Sequence, residues 1–157
     1  MTRIEHYLNP AAPIPNSIAV TVSVFVPDEQ GRVLLVHRAD NDLHTLPGGR
    51  QEIGETISAA AVRVTRRMAG IDVLVMGLIG VYSDPGHVVE YSDGEVRQEF
   101  SVCFRGRPVD GELCGGEGIK EVLWVEQGEL EGLIIHPSTR MRIQHGFDNR
   151  ATPYYSR

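Results

Sequence analysis

One stretch of this chain is helical by pattern, while almost everything around it reads as strand. In T-I-S-A-A-A-V-R-V-T-R-R-M-A, residues Ile57, Ala60, Ala61, Val64 and Met68 recur at three- and four-residue spacing, and Gly70 stands where a helix stops. An amphipathic helix must lay its apolar stripe on something, and the flanking segments supply a sheet. Ser17 to Val26 is rich in β-branched residues; it is followed by D-E-Q-G and then R-V-L-L-V-H-R, a pairing that predicts a β-hairpin. Ile71 to Tyr82 is strand-like, with Gly77 and Gly80 as candidate bulges. H-V-V-E-Y and V-R-Q-E-F-S-V-C-F flank S-D-G-E, where Asp93-Gly94 signals a second hairpin. A glycine-rich loop from Gly111 to Gly118 leads into a strand over Glu121 to Val125. A short helix over E-Q-G-E-L-E-G-L and another opened by Pro137 close the pattern.

The chain's 157 residues suit one domain, and a domain of this size buries roughly two-thirds of the surface its unfolded chain exposes. Residues 1–16, with three prolines, read as a surface arm without chemistry; 17–146 form the domain and 147–157 a polar tail that frays. The formal charge of −6 argues against duplex nucleic acid as a partner, since such proteins carry basic patches. Cys103 and Cys114 have no metal-type spacing and are too few for a disulfide framework, so free thiols in a reducing cytoplasm are expected. No apolar run approaches membrane-spanning length, and Glu5, His6 and Pro10 interrupt what would be the apolar part of a signal peptide.

From Gly49 the chain reads G-RQEIG-E-TISAAAV-R-V-T-R-R-M-A-G-I. This resembles the Nudix box, G-x5-E-x7-R-E-U-x-E-E-x-G-U, with U a bulky aliphatic. Gly49, Glu55, Arg63, Gly70 and Ile71 match, and Leu46-Pro47-Gly48 and His37-Arg38 stand where family members place similar residues. The strand and helix order matches over nearly the whole chain. The resemblance implies an α/β (α+β) fold: a Nudix-type α/β/α sandwich with a mixed central sheet. It also implies a small phosphorylated, nucleotide-like partner, Mg²⁺ or Mn²⁺ as cofactor if the chain is active, and compatibility with a homodimer.

The departures matter as much. The family's glutamates lie one, four and five residues after the box arginine, on one helix face, and bind the cation that bridges a diphosphate. Here those positions hold Val64, Arg67 and Met68, so a formal charge of −3 becomes +1. By the standard site, no metal is expected. Thr65 in place of an aliphatic, and His44 where the family often shows tryptophan, depart further. What remains is scaffold: glycines, and a Glu55–Arg63 pair that ties loop to helix.

Two kinds of residue could restore chemistry. Arg67, with Arg66 or Arg38 and the Gly48–Gly49 backbone, could bind phosphate directly, because guanidinium matches phosphate geometry; the alternative is that Arg66 and Arg67 form a solvated helix face. A rebuilt metal or catalytic site would draw on Glu52 and Glu55, with Glu99, Glu117 or Glu121 from later segments, each otherwise an ordinary surface carboxylate. His87 and His136 lie in loops that could face the pocket or could serve as caps, and Trp124 reads as core. Three functions therefore stand side by side: a pyrophosphohydrolase with a non-standard metal site, a nucleotide-binding domain with weak or no hydrolysis, and a scaffold for another ligand.

Overall fold

The computed structural model describes residues 2–157. In chain order its elements are β1 (Arg3–Tyr7), β2 (Ser17–Phe25), β3 (Val33–Arg38), β4 (His44–Thr45), β5 (Gly48–Arg50), α1 (Ile57–Ala69), β6 (Ile71–Tyr82), β7 (His87–Tyr91), β8 (Val96–Gly111), β9 (Ile119–Val125), a 3₁₀ turn (Gln127–Gly132), α2 (Pro137–Asp148) and β10 (Tyr154–Tyr155). The described residues form two sheets. The larger runs β1-β7-β8-β2-β5, with β6 on β8 and β10 on β6; the smaller is β4-β3-β9. Because β2 pairs with β8 in parallel and nearly every other ladder is antiparallel, the larger sheet is mixed.

Strand alternation sorts the apolar side chains into two cores. Val22, Val24 and Val26 face α1, together with Leu34 and Val36; Phe25, Val33 and Leu35 face the opposite side, where Ile143 of α2 lies. The sheet is thus covered by one helix on each face. Residues Val33 to Val36 are fully buried, which is why their sequence is apolar without alternation. Trp124 packs against the α1 core.

Several expectations are met in detail. Thr56 caps α1 by accepting from the Ala59 amide at 3.1 Å, and Gly70 ends it with φ of 77°. The β6–β8 register slips between Val75 and Gly77 and again between Leu78 and Gly80. Gly94 turns the β7–β8 hairpin with φ of 96°.

Other expectations are not met. β2 and β3 share a turn, with an isolated bridge from Pro27 to Val33, but then enter different sheets: β2 finds its partners in β8 and β5, and β3 in β4 and β9. The first segment is not a free arm, since Arg3–Tyr7 pairs antiparallel with β7 and extends the large sheet. The last segment is also held, with Tyr154 and Tyr155 beside Gly80 and Val81. Alternating motifs of five and two residues are too short to announce such strands in the sequence.

Candidate functional site

A cleft of about 910 Å³ opens between the loop and helix that follow β5 and a second wall built from β1, β7 and the start of α2. Its lining holds seven arginines (Arg3, Arg38, Arg50, Arg63, Arg67, Arg97, Arg142) against five carboxylates (Glu5, Asp40, Glu52, Glu99, Glu117). Four of these arginines are paired with carboxylates (Arg3 with Glu5, Arg38 with Asp40, Arg63 with Glu55, Arg97 with Glu95), so among the described residues Arg50, Arg67 and Arg142 are the cleft guanidiniums without a carboxylate partner, and they favour an anionic ligand.

On the first wall, Arg63 grips Glu55 through two hydrogen bonds: Nε donates to Oε2 at 2.9 Å and Nη2 to Oε1 at 2.7 Å. Oε1 also accepts from the Glu52 amide at 2.8 Å, and Arg63 reaches the Arg50 carbonyl at 2.8 Å. The Arg63 hydrogen bonds, with help from the Glu52 amide, hold the Glu55 carboxyl down to about 2. Both oxygens are therefore engaged as acceptors and the carboxyl stays ionised, which suits Glu55 to holding the loop rather than to taking a proton. Glu52 stays exposed, 3.6 Å from Arg63. Gly48 and Gly49 are needed for close packing: a Cβ at Gly48 would meet the Val22 carbonyl at 2.7 Å, and one at Gly49 would meet Val64 Cγ1 at 3.1 Å. At the end of α1, Gly70 has room for no side chain, since a Cβ would lie 2.5 Å from the Glu112 carbonyl.

Of the remaining sequence candidates, most line the same cleft and Glu121 does not. Arg38 lines the cleft but is held bidentately by Asp40 at 2.9 and 2.8 Å. Arg67 lines the cleft, exposed and without a carboxylate partner among the described residues. Glu99 and Glu117 also line it, whereas Glu121 lies elsewhere, on one rung with His37 and His44 across β9, β3 and β4. Of these two fallback ligands only Glu117 thus lines the cleft, while Glu121 groups with His37 and His44. In the His37–His44–Glu121 group the two rings stack at 4.1 Å, and burial and the neighbouring His37 hold His44 below its ordinary value.

The second wall is built from residues that no motif marks. His87 Nε2 lies 2.5 Å from Glu5 Oε1, and His136 Nε2 lies 3.5 Å from the same oxygen; the two rings stack at 4.7 Å with Tyr7 edge-on to both. Burial pushes the Glu5 carboxyl up, but the His87 hydrogen bond and the His136 and Arg3 charges outweigh it and leave it at about 2. Burial pushes His136 down, consistent with Nδ1 acting as the acceptor that caps α2 from the Ser138 amide at 3.1 Å. Beyond this group lies Arg142, whose side chain reaches only hydroxyls and a carbonyl. Glu5 sits in a segment without a motif, and Arg142 reads in sequence as one more polar position on a helix, so neither stood out.

The NUDIX domain pattern matches residues 17–143. The chain belongs to the Nudix family. An ADP-ribose pyrophosphatase of Methanocaldococcus jannaschii is 30% identical over 135 residues, 81% of this chain and 68% of that one. A MutT-like protein of Streptomyces ambofaciens is 40% identical over 112 residues, 71% of this chain and 66% of that one. Among solved structures, a NUDIX hydrolase from Nitrosomonas europaea shares the fold with a TM-score of 0.71 at 23% identity, covering 90% of this chain and 77% of that one.

Within this Nudix domain, the box-helix face that meets the cleft presents Val64, Arg67 and Met68. Val64 is 3% exposed and packed under Gly49, and the Met68 thioether accepts the Gly48 amide at 3.3 Å. A hard divalent cation takes anionic or carbonyl oxygens, and an alkyl group, a guanidinium and a thioether offer none. These three side chains do not fit the family's metal. Cys103 is buried and Cys114 exposed, both as free thiols, and no helix is long and apolar enough to cross a membrane.

Proposed function

We propose that this Nudix domain binds a nucleoside diphosphate linked to a second moiety, and that its metal-dependent hydrolysis is weak or absent. The observation that carries the proposal is the chemistry of the box face, where Val64, Arg67 and Met68 stand in the positions that hold glutamates in the family pattern. The cleft arginines without a carboxylate partner among the described residues, Arg50, Arg67 and Arg142, support an anionic ligand, and the relative named as an ADP-ribose pyrophosphatase supports ADP-ribose as the first ligand to try. Arg67 takes part of the cation's role by meeting phosphate oxygens, since it is exposed and free of a carboxylate among the described residues. The setting is the reducing cytoplasm, in keeping with the two free thiols.

A second reading keeps an active pyrophosphohydrolase whose cation is held elsewhere. It is favoured by the Glu5–His87–His136 group, whose ligand atoms lie within 4.8 Å of one another on the opposite wall.

A thermal-shift series in chelator, with ADP-ribose, a nucleoside triphosphate, a sugar phosphate and adenosine, tests the main reading. Stabilisation by ADP-ribose in chelator is expected, with a loss of about tenfold in affinity for Arg67→Ala. Stabilisation only when Mn²⁺ is added would favour the second reading, and stabilisation by the sugar phosphate alone would remove the nucleotide.

A further inference from the structure

Where β4, β3 and β9 run side by side, three side chains able to ligate a metal share one rung: His44 pairs with His37, and His37 with Glu121. Residues directly opposite in an antiparallel ladder project to one face with Cβ atoms about 5 Å apart, so the backbone register alone gathers the three. One ligand atom from each lies within 4.8 Å of the others. None of the three belongs to the box helix or to the Glu5 group on the opposite wall.

Each member has a ligand atom to spare. His44 Nδ1 is buried without a hydrogen-bond partner, the one side-chain nitrogen or oxygen in that condition among the described residues. A buried polar atom left alone is costly, and folds keep one where something else comes to meet it. Burial, and then the charge of the neighbouring His37, hold His44 below its ordinary value, so near pH 7 it carries the neutral ring that metals take. His37 Nε2 lies 2.8 Å from Asp42 Oδ1, and Lys120 Nζ donates to the same oxygen at 2.8 Å. The Lys120 and His37 hydrogen bonds keep Asp42 ionised, so it only accepts; neutral His37 then carries its proton on Nε2 and its lone pair on Nδ1. A carboxylate behind a histidine is the outer contact that fixes the tautomer of a metal-bound imidazole. Glu121 is exposed and has no salt-bridge partner among the described residues, its neighbour Lys120 being turned to Asp42.

We infer that His37, His44 and Glu121 form a binding site for a d-block divalent cation, Zn²⁺ before others, with Asp42 as the outer carboxylate behind His37. Two imidazoles and a carboxylate are a donor set for Zn²⁺ that leaves a fourth position open, whereas Mg²⁺ and Ca²⁺ ask for oxygen. The two rings, stacked at 4.1 Å and 11°, tilt so that both lone pairs meet one ion. Bonds of about 2.0–2.1 Å at a tetrahedral angle put ligand atoms about 3.4 Å apart. The present spread of up to 4.8 Å is within reach of side-chain rotation on strands that stay paired. β4 runs straight into Leu46-Pro47-Gly48-Gly49, and His44 itself lines the cleft. A cation joining β4 to β3 and β9 therefore fixes the start of the box loop, whatever ligand the cleft takes. A merely stacked pair of histidines beside an unrelated glutamate would keep the same rung but would leave Zn²⁺ affinity indifferent to Asp42.

The deciding experiment is calorimetric titration of the untagged full chain with Zn²⁺, in buffer holding excess Mg²⁺, for the wild type, His37→Ala, His44→Ala, Asp42→Asn and His87→Ala. The wild type is expected to take up one equivalent on this rung, with a loss of about hundredfold or more for either His37→Ala or His44→Ala and no change there for His87→Ala. Asp42→Asn, at a left-handed position (φ of 60°) that asparagine tolerates, should lose about tenfold through the outer contact alone. Absence of Zn²⁺ binding by the wild type, or equal affinity in the wild type and both rung-histidine variants, would overturn the inference. So would binding abolished by His87→Ala alone, which would put the ion at the Glu5 group. If a histidine variant fails to melt cooperatively, the ring-nitrogen resonances of the wild type decide. On Zn²⁺ addition those of His37 and His44 move if the inference holds; if they stay fixed, it fails.

Discussion

The Met68 sulfur accepts a hydrogen bond from the Gly48 amide at 3.3 Å, so a thioether closes the gap between box loop and box helix where the family pattern has a carboxylate. The contact joins the two halves of the motif through a soft, neutral atom. It leaves the helix well packed and without an oxygen ligand on this face.

If lost carboxylates are what separates this domain from a metal-binding one, returning two of them should return the cation. Arg67→Glu with Met68→Glu restores the pair four and five residues after Arg63, on one helix turn. Calorimetry with Mn²⁺ is expected to show binding by the double variant and none by the wild type at the same face. Val64→Glu is left out of the design because Val64 is 3% exposed, and a carboxylate there without a metal costs about 2–4 kcal/mol. Failure of the double variant to bind would mean that the loop geometry, and not the side chains, has changed.

The Glu5 clamp carries a pH dependence whose sign is fixed by the direction of its shift. Glu5 titrates at about 2 in the folded chain against 4.5 when unperturbed, so its contribution is fully present above about 4.5 and is lost as pH falls through about 2. The melting temperatures of wild type and Glu5→Gln should differ most above pH 4.5 and converge towards pH 2. A gap that stays constant across that window would show that the carboxylate charge has no part in holding His87 and His136.

Gly70 combines φ of 77° with a carbonyl 2.5 Å from where a Cβ would stand. Gly70→Ala should cost about 2 kcal/mol or more, seen as a fall of at least about 4 °C in melting temperature. Gly94, with φ of 96° but open space around it, should tolerate alanine with only the conformational part of that loss.

Much of the fold was legible in the sequence because it rests on strong local signals. The Ile57–Ala69 stripe, Thr56 before it and Gly70 after it, and the Asp93-Gly94 turn each state their structure within a few residues. The first β-hairpin misled because two apolar runs joined by a turn signal only adjacency in sequence; that β2 pairs with β8 in parallel, about eighty residues away, is a long-range choice no local pattern carries. The box side of the cleft could be read residue by residue, including the Glu55–Arg63 pair. On the α2 wall, His87 and His136 were legible as histidines that could face the pocket or cap a helix, and both line the cleft; Glu5 and Arg142 were not, since they come from separate stretches and acquire meaning only when β1 joins the sheet beside β7.

Calorimetric titration of the purified chain with Mg²⁺ and Mn²⁺, alone and with ADP-ribose present, followed by a phosphate-release assay on the same sample, tests the central claim most directly. Nucleotide binding that does not depend on the cation, with no release, is the expected result. Cation binding coupled to release of phosphate groups would contradict it, and would place a working metal site outside Val64, Arg67 and Met68.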